Sequence, residues 1–400
     1  MNALQRLVIA SGGMHAADQI ALVAVPIVAA LVFDASPHTL GVLVACQSLA
    51  HLLGSLPFGV WVDRAPLLPL TRFAVALTAM GSMAAAVSAA TLQLIPFALA
   101  VTFMGFGMVL FMLTTLSILP RLVEKPALAS SNAQLDLART LATFLVPLAL
   151  GFALTGGTAS LVFAVASLCA VGAWLVLRTL PPYRSTQTDH ASITERLLAG
   201  AVVVAREPLL RAIALCATSW NFAFAALMVV AVPLLATEYG VSASRFGTVM
   251  AAFGLGSIAG AWTMRRFAQR VRPGTVLLFG PASSLLAATL MLGGAPLGFG
   301  SAVMGFFFLG FGPSMWLSAQ NAVRQAVSPP DRLGRVNAVI QTAIYGVRPI
   351  GALVCGWIVG VWGVLPGMWL VVAGFALSLV AAVLGGLRAV DDYSSLNPRH

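Results

Sequence analysis

Charge is what this sequence has least of. Only 12 of its 400 residues are acidic and 22 basic, so 8% carry charge, against the roughly 25% a soluble domain needs to cover its surface. That scarcity excludes a water-soluble globular protein. Cysteine is sparse as well. Cys46, Cys169, Cys216 and Cys355 each lie inside an apolar stretch with no metal-ligand spacing, which excludes a disulfide framework or a zinc site and leaves small apolar packing as their role. Phosphate-binding loops are missing too: Gly254 and Gly256, like Gly351 and Gly356, sit within apolar runs with no Lys-Ser/Thr behind them. Such glycines serve close helix packing instead. No nucleophile elbow is present, and no metal or cofactor is expected. A cleavable signal is not expected either, because the first apolar segment, 7–33, is too long and lacks a small-residue cleavage site.

Apolar sequence is abundant. Sixty per cent of the chain is hydrophobic, and charge-free stretches near 20 residues recur, the length at which an α-helix crosses a bilayer. They are too long for membrane β-strands and lack strict alternation. The expected fold class is an all-α polytopic membrane protein with twelve spans, at 7–33, 39–58, 70–90, 93–119, 130–155, 158–178, 210–236, 243–264, 275–293, 296–322, 335–360 and 364–387. The net charge of +10 does not gather into a nucleic-acid patch. Span ends are set to within several residues, and on that basis nineteen of the 22 bases, Arg72 and Arg324 among them, fall before the first span, after the last, or in and at the edges of the connections that follow even-numbered spans. Arg245 alone lies by an opposite connection, and Arg139 and Arg348 lie well within spans. The positive-inside rule then places both termini in the cytoplasm, with the protein in the inner (plasma) membrane.

The chain repeats itself at half its length. Gly41, Gly54 and Asp63-Arg64 match Gly247, Gly260 and Gln269-Arg270 at an offset of 206, and the Val-Ala-Val-Pro ending at Pro26 recurs ending at Pro233, offset 207. Gly105-Phe-Gly107 recurs at Gly310-Phe-Gly312 and Asn132-Ala133 at Asn337-Ala338, both at offset 205. Four matches in order indicate two related halves. The expected domains are an N-terminal six-helix bundle (1–180), a cytoplasmic linker with a short amphipathic helix (181–209), a C-terminal bundle (210–390) and a cytoplasmic tail (391–400). Within the linker, Pro181-Pro182 closes the sixth span, and Ser192-Ile-Thr-Glu195 reads as a capping box opening a helix that ends before Pro208. Its apolar residues suggest that this helix lies along the membrane surface.

Two six-helix repeats, a central connection, and Gly59-Val-Trp-Val-Asp63-Arg64 after the second span resemble the major facilitator superfamily. Within it, PFGVWVDR, the ending of the first span, and LPRLV before SSNA are similar to the branch containing enterobactin and macrolide exporters. The resemblance implies two pseudo-symmetric bundles and a gating loop, Gly59, Asp63 and Arg64, that latches the halves on the cytoplasmic side. Asp63 would sit against a helix N-terminus, and Arg64 would pair with a carboxylate or a lipid phosphate. The loop departs from the family pattern at Pro66, Leu67 and Leu68, which replace a glycine and a basic pair. In the fifth span only Pro147 and Gly151 survive of the antiporter signature, and a Pro with a Gly four residues on is also common in membrane helices. The fourth span lacks the embedded Arg of many proton-driven exporters.

An ionisable residue at membrane depth is a site hypothesis by default. Asp18 lies about 16 Å into the first span, and Ser11, His15 and Asp18 share a face by i, i+4, i+7 spacing. Gln341, Tyr345 and Arg348 repeat that spacing in span eleven, and His51 lies at similar depth in span two. Asp18 with His15 is expected to exchange protons. Arg348, with Tyr345, Gln341, His51, Asn221 and Gln320, is expected to receive an anionic or zwitterionic substrate, with Arg139 as an alternative second base. Asp136 and Arg139, three apart, read as a structural ion pair. Trp220, Trp316 and Asn321 serve either as cavity lining or as packing and interfacial groups.

The expected function is secondary export of a small organic molecule, drug-like or siderophore-like, by proton antiport and alternating access. Uptake, an uncoupled facilitator and a non-transporting receptor remain alternatives. An intramembrane enzyme would need clustered acids, and only dispersed ones are seen. The expected partners are a small-molecule substrate, protons and membrane lipids, with the chain acting as a monomer.

Overall fold

A computed structural model describes residues 1–124, 128–153, 161–180, 193–241, 245–267, 270–328, 333–392 and 396. Within them the chain forms α1 (Ala3–Leu31), α2 (Pro37–Arg64), α3 (Leu67–Ala90), α4 (Leu94–Leu122), α5 (Leu128–Ala153), α6 (Leu161–Leu177), α7 (Ile193–Arg206), α8 (Pro208–Thr237), α9 (Phe246–Phe267), α10 (Pro273–Gly293), α11 (Phe299–Val327), α12 (Leu333–Trp362) and α13 (Val364–Leu384). Nine of these helices (α1, α3, α4 and α8 to α13) are long and apolar enough to cross a membrane, and α6 is a shorter apolar helix of 17 residues. With α2 and α5 they occupy the twelve expected positions, and α7 is the additional helix between the halves. The protein is an all-α multi-pass membrane protein.

Local chemistry sets the helix ends. Asn2 opens α1 by a reciprocal cap: its side chain accepts from the Gln5 amide at 2.8 Å, and Gln5 Oε1 accepts from the Asn2 amide at 3.0 Å. Pro208 and Pro273 stand at the first positions of α8 and α10, where a missing N–H costs nothing. Gly363, at φ 91°, breaks the chain between α12 and α13, a conformation that suits a residue without Cβ. The outward faces carry large apolar side chains, among them Ile95, Leu168, Trp369 and Leu384, each more than half exposed. On a soluble protein they would form an aggregating surface.

The described residues divide into two compact units. One is Met1–Ala35 with Leu43–His190, and the other is Ser36–Val42 with Ala191–His400, so the first residues of α2 are grouped with the second. In the first unit α1 packs on α5 and α6, and α3 packs on α4 and α6. Its core joins Leu7, Met14, Leu67, Leu68, Phe111 and Ala170. In the second, α8 packs on α12 and α13, α10 on α11 and α13, and α9 on α11. The packing scheme therefore repeats, and the repeated glycines carry it. A Cβ on Gly107 would collide with Thr78 Oγ1 and lie 2.6 Å from the Ala74 carbonyl of α3. The equivalent atom on Gly312 would collide with Ser283 Oγ of α10. Gly105 faces Gln47 and Ala50 of α2, as Gly310 faces Phe253 and Ser257 of α9. Each Gly-Phe-Gly thus lets one helix approach two neighbours at backbone distance.

Two sequence expectations are corrected, both on basic or gating residues. Gly59, Asp63 and Arg64 are not in a loop, because α2 continues through Arg64. Helix α7 packs on α12 and α8, and a Cβ on Gly200 would stand 2.6 Å from the Arg335 carbonyl. Arg324 is not a connection base, since it lies inside α11 and is 8% exposed. The expected capping box at Ser192 falls outside the described residues, as does most of the stretch from Pro181.

Candidate functional site

In the first unit the polar face of α1 holds Ser11 and His15, both buried, and Asp18, half-buried. Helix α5 lies against it. A Cβ on Gly12 would meet Ala138 at 3.8 Å, ordinary contact, and the next residue, Arg139, is near enough for its charge to act on His15. Arg139 Nη2 is paired with Asp136 Oδ1 at 3.3 Å one helical turn away, with the Asp136 side chain 67% exposed. Asp18 and His51 both engage in interactions; His51 is half-buried on α2. Pro147 is buried inside α5, and Gly151 lies in its last turn. At the end of α2, Gly59 is half-buried and Arg64 exposed; the Asp63 side chain lies outside the described set.

In the second unit the structure joins residues that are distant in sequence. Arg348, at the middle of α12, donates from Nε to Asn221 Oδ1 of α8 at 2.9 Å. Asn221 Nδ2 donates to the Ala217 carbonyl at 2.8 Å, so both ends of the amide are committed and its orientation is fixed. The Arg348 guanidinium carbon stands 5.1 Å from the centre of the Tyr345 ring, a cation–π contact. Every residue from Gln341 to Arg348 is half-buried, leaving this stretch of α12 partly accessible at membrane depth.

One helical turn or more away lies a second polar group that sequence reasoning missed. Arg324 of α11 donates to Gln320 Oε1 at 3.3 Å and to Asn337 Oδ1 of α12. Gln320 Nε2 donates to Asn321 Oδ1 at 2.6 Å. Gln320 therefore belongs to the Arg324 group, not to Arg348. The signals were present: Gln320 and Arg324 stand at i, i+4, and Asn337 is one of the repeated residues. Trp220 Nε1 donates to Ser284 Oγ at 2.8 Å while its ring stacks on Phe224 at 4.9 Å. It is a packing residue that ties α8 to α10. Trp316 packs its side chain against Gly280 of α10.

Two arginines, from α1 and α3, converge on the end of α6. Arg72, in α3, donates to the carbonyls of Leu177, Arg178 and Leu180 at the end of α6, and Arg6 Nη1 donates to the Thr179 carbonyl at 2.7 Å. These are the orphan acceptors of a helix C-terminus, where the macrodipole favours cations.

A family model described as Major Facilitator Superfamily matches residues 7–352 and, in a second overlapping match, 215–396. The chain is 28% identical over 288 residues to the enterobactin exporter EntS of Salmonella typhi, covering 68% of this chain and 66% of that one. It is 29% identical over 247 residues to the EntS of Escherichia coli O1:K1 / APEC, covering 60% and 57%. The chain thus matches somewhat less than two thirds of the length of these exporters. Among solved structures it resembles the D-xylose-proton symporter (TM-score 0.73, 14% identity, 99% of each chain covered) and the nucleoside transporter NupG (TM-score 0.72, 13% identity, 98% and 100% covered). At that identity these two speak for the fold alone. The two repeats of six helices, their shared packing and the family match lead to one conclusion: the chain belongs to the Major Facilitator Superfamily and is a membrane transporter, not an enzyme.

Proposed function

We propose that this transporter exports a small organic molecule across the inner membrane in exchange for protons, by alternating access of its two bundles. The direction rests on similarity to the enterobactin exporters. The coupling rests on one observation: a half-buried carboxylate, Asp18, the only acid of α1 and near the middle of its span, one turn from the buried His15. A carboxyl group at that depth costs a few kcal/mol on insertion scales when charged, so its ionisation responds to whether water reaches it. A proton carrier needs that property. Arg139 is already held by Asp136, which suits it to fixing α5 and to shaping the field around His15.

Asp18→Asn keeps the shape and removes the titration. In proteoliposomes the variant is expected to lose gradient-driven export while still exchanging substrate at equal pH on both sides. Full proton-driven transport by Asp18→Asn would make Asp18 a packing residue and remove the basis for antiport.

A further inference from the structure

The second unit holds its mid-span arginine in an unusual way. Arg139 of the first unit has a carboxylate beside it, Asp136 at 3.3 Å, and Arg72 spends a terminal nitrogen on helix-end carbonyls. Arg348 is oriented instead by a neutral amide. Asn221 takes the Nε–H and spends its own N–H on the Ala217 carbonyl, so it fixes the guanidinium without cancelling its charge. Tyr345 holds the cation over its ring, which again orients the group and leaves it cationic. Among the described residues no carboxylate pairs with Arg348, and its two terminal nitrogens donate no hydrogen bond. What remains is a rigid pair of N–H groups on a partly accessible helix face at mid-membrane, where an uncompensated cation is costly. Two parallel N–H donors match the two oxygens of a planar anion.

We propose that Arg348 is the anion receptor of this transporter, preset by Asn221 and Tyr345, and that the transported molecule carries a carboxylate or a similar planar two-oxygen group. Asn221 is a positioning residue acting through Arg348. The choice of asparagine over aspartate is the specific feature: an acid at that place would satisfy the arginine internally and close the site to an external anion. This assignment rests on the polar face of α12 being part of the transport path, and the test separates the two.

A single cysteine is placed at Gln341, two turns from Arg348 on the same face, in a chain whose four native cysteines are replaced. The purified protein is then treated with anionic and with cationic methanethiosulfonate reagents. Two turns of helix are about 10 Å, so a full unit charge in water at permittivity about 80 favours the anionic over the cationic reagent about fourfold, and more at lower permittivity. That preference is expected in the parent, absent in Arg348→Gln, and absent in Asn221→Asp, where the new carboxylate supplies the counter-charge. Benzoate at saturating concentration is expected to protect the cysteine, and benzamide is not. Reaction with neither reagent would mean that water does not reach this face and would remove the transport-path reading. Equal rates with both reagents in the parent would leave the path standing and overturn the receptor. An undiminished preference in Asn221→Asp, or equal protection by benzoate and benzamide, would overturn the neutral-orienter and carboxylate assignments respectively.

Discussion

Arg72 offers the most direct test of how the first unit is held together. Its guanidinium is half-buried and reaches the end of α6, with Nη2 donating to the Arg178 carbonyl at 3.0 Å, Nε and Nη2 sharing the Leu177 carbonyl at 3.3 and 3.2 Å, and Nη2 touching the Leu180 carbonyl at 3.4 Å. The two longest contacts are near the limit of a hydrogen bond, so the energy lies in the bond to Arg178 and the shared one to Leu177. A hydrogen bond to a charged group contributes about 1.5–3 kcal/mol net. The favourable helix-end charge contributes about 0.3–1 kcal/mol and overlaps with it. Arg72→Ala is therefore expected to destabilise the first unit by about 2–4 kcal/mol. Arg72→Lys keeps the charge but loses the fork, and it should retain about half of that. Arg6→Ala removes one exposed bond to Thr179 and should cost about 1 kcal/mol. The double variant should lose less than the sum of the two, because both arginines serve one run of carbonyls. Thermal unfolding in detergent, followed by fluorescence in a chain whose other tryptophans are replaced by phenylalanine so that Trp174 alone reports, reads this corner. Trp174 lies there, beneath Arg178 at 5.0 Å. Unfolding of Arg72→Ala at the parent temperature would refute the cap and return Arg72 to setting topology only.

Two further outcomes follow from contacts in the second unit. Gly312→Ala places a methyl on Ser283 Oγ and 2.7 Å from Ser283 Cβ, so overpacking should cost about 1–3 kcal/mol. Adding Ser283→Gly should recover part of that loss in the same unfolding assay; no recovery would mean that α10 and α11 do not meet at this point. Tyr239, just past the end of α8, donates its hydroxyl to the Met291 carbonyl at 2.9 Å and contacts Ser301 Oγ at 3.1 Å. Burial pushes its phenol pKa up, and the Ser301 hydrogen bond draws it partly back. A raised folded pKa means that the stabilisation is complete below the ordinary tyrosine value, about 10, and is lost as the pH climbs through the folded one. Tyr239→Phe should cost about 0.5–1.5 kcal/mol at neutral pH, with the gap to the parent closing in strong alkali. A gap constant from pH 7 to beyond the phenol titration would show that the hydroxyl does not hold this loop.

The helices were legible because apolar runs, helix-opening prolines and glycine breaks all mark the same boundaries, and the repeat was legible because its glycines serve one purpose twice. Gly105 and Gly107 reappear as Gly310 and Gly312 since in each unit one helix must touch the backbones of two others. Basic residues were read less well. Counting Arg324 and Arg72 as bases in connections assumes that a long cationic side chain near a span's end faces water. Such a side chain folds back as readily onto orphan carbonyls or a neighbouring amide, and only the fold shows which. The Arg348–Asn221 bond spans 127 positions between residues of two helices, and no periodicity within either helix implies it.

The polar groups also depart from the repeat that governs the packing. At the offset of 207 that aligns α1 with α8, Asp18 falls opposite Ala225 and Asn221 opposite Met14. At the offset of 205 that aligns α5 with α12, Arg348 falls opposite Thr143, whose hydroxyl is spent on the Arg139 carbonyl at 3.0 Å. Close packing is needed equally in both halves, so the glycines stay in register. In the proposed mechanism an acid and an oriented base would serve different ligands, so each is expected in one half alone. Divergence from the internal repeat sets Asp18 and Arg348 apart from Asn132 and Asn337, which the two halves share, but it marks the Asp136–Arg139 pair and Arg324 as well, so depth and pairing carry the distinction among them.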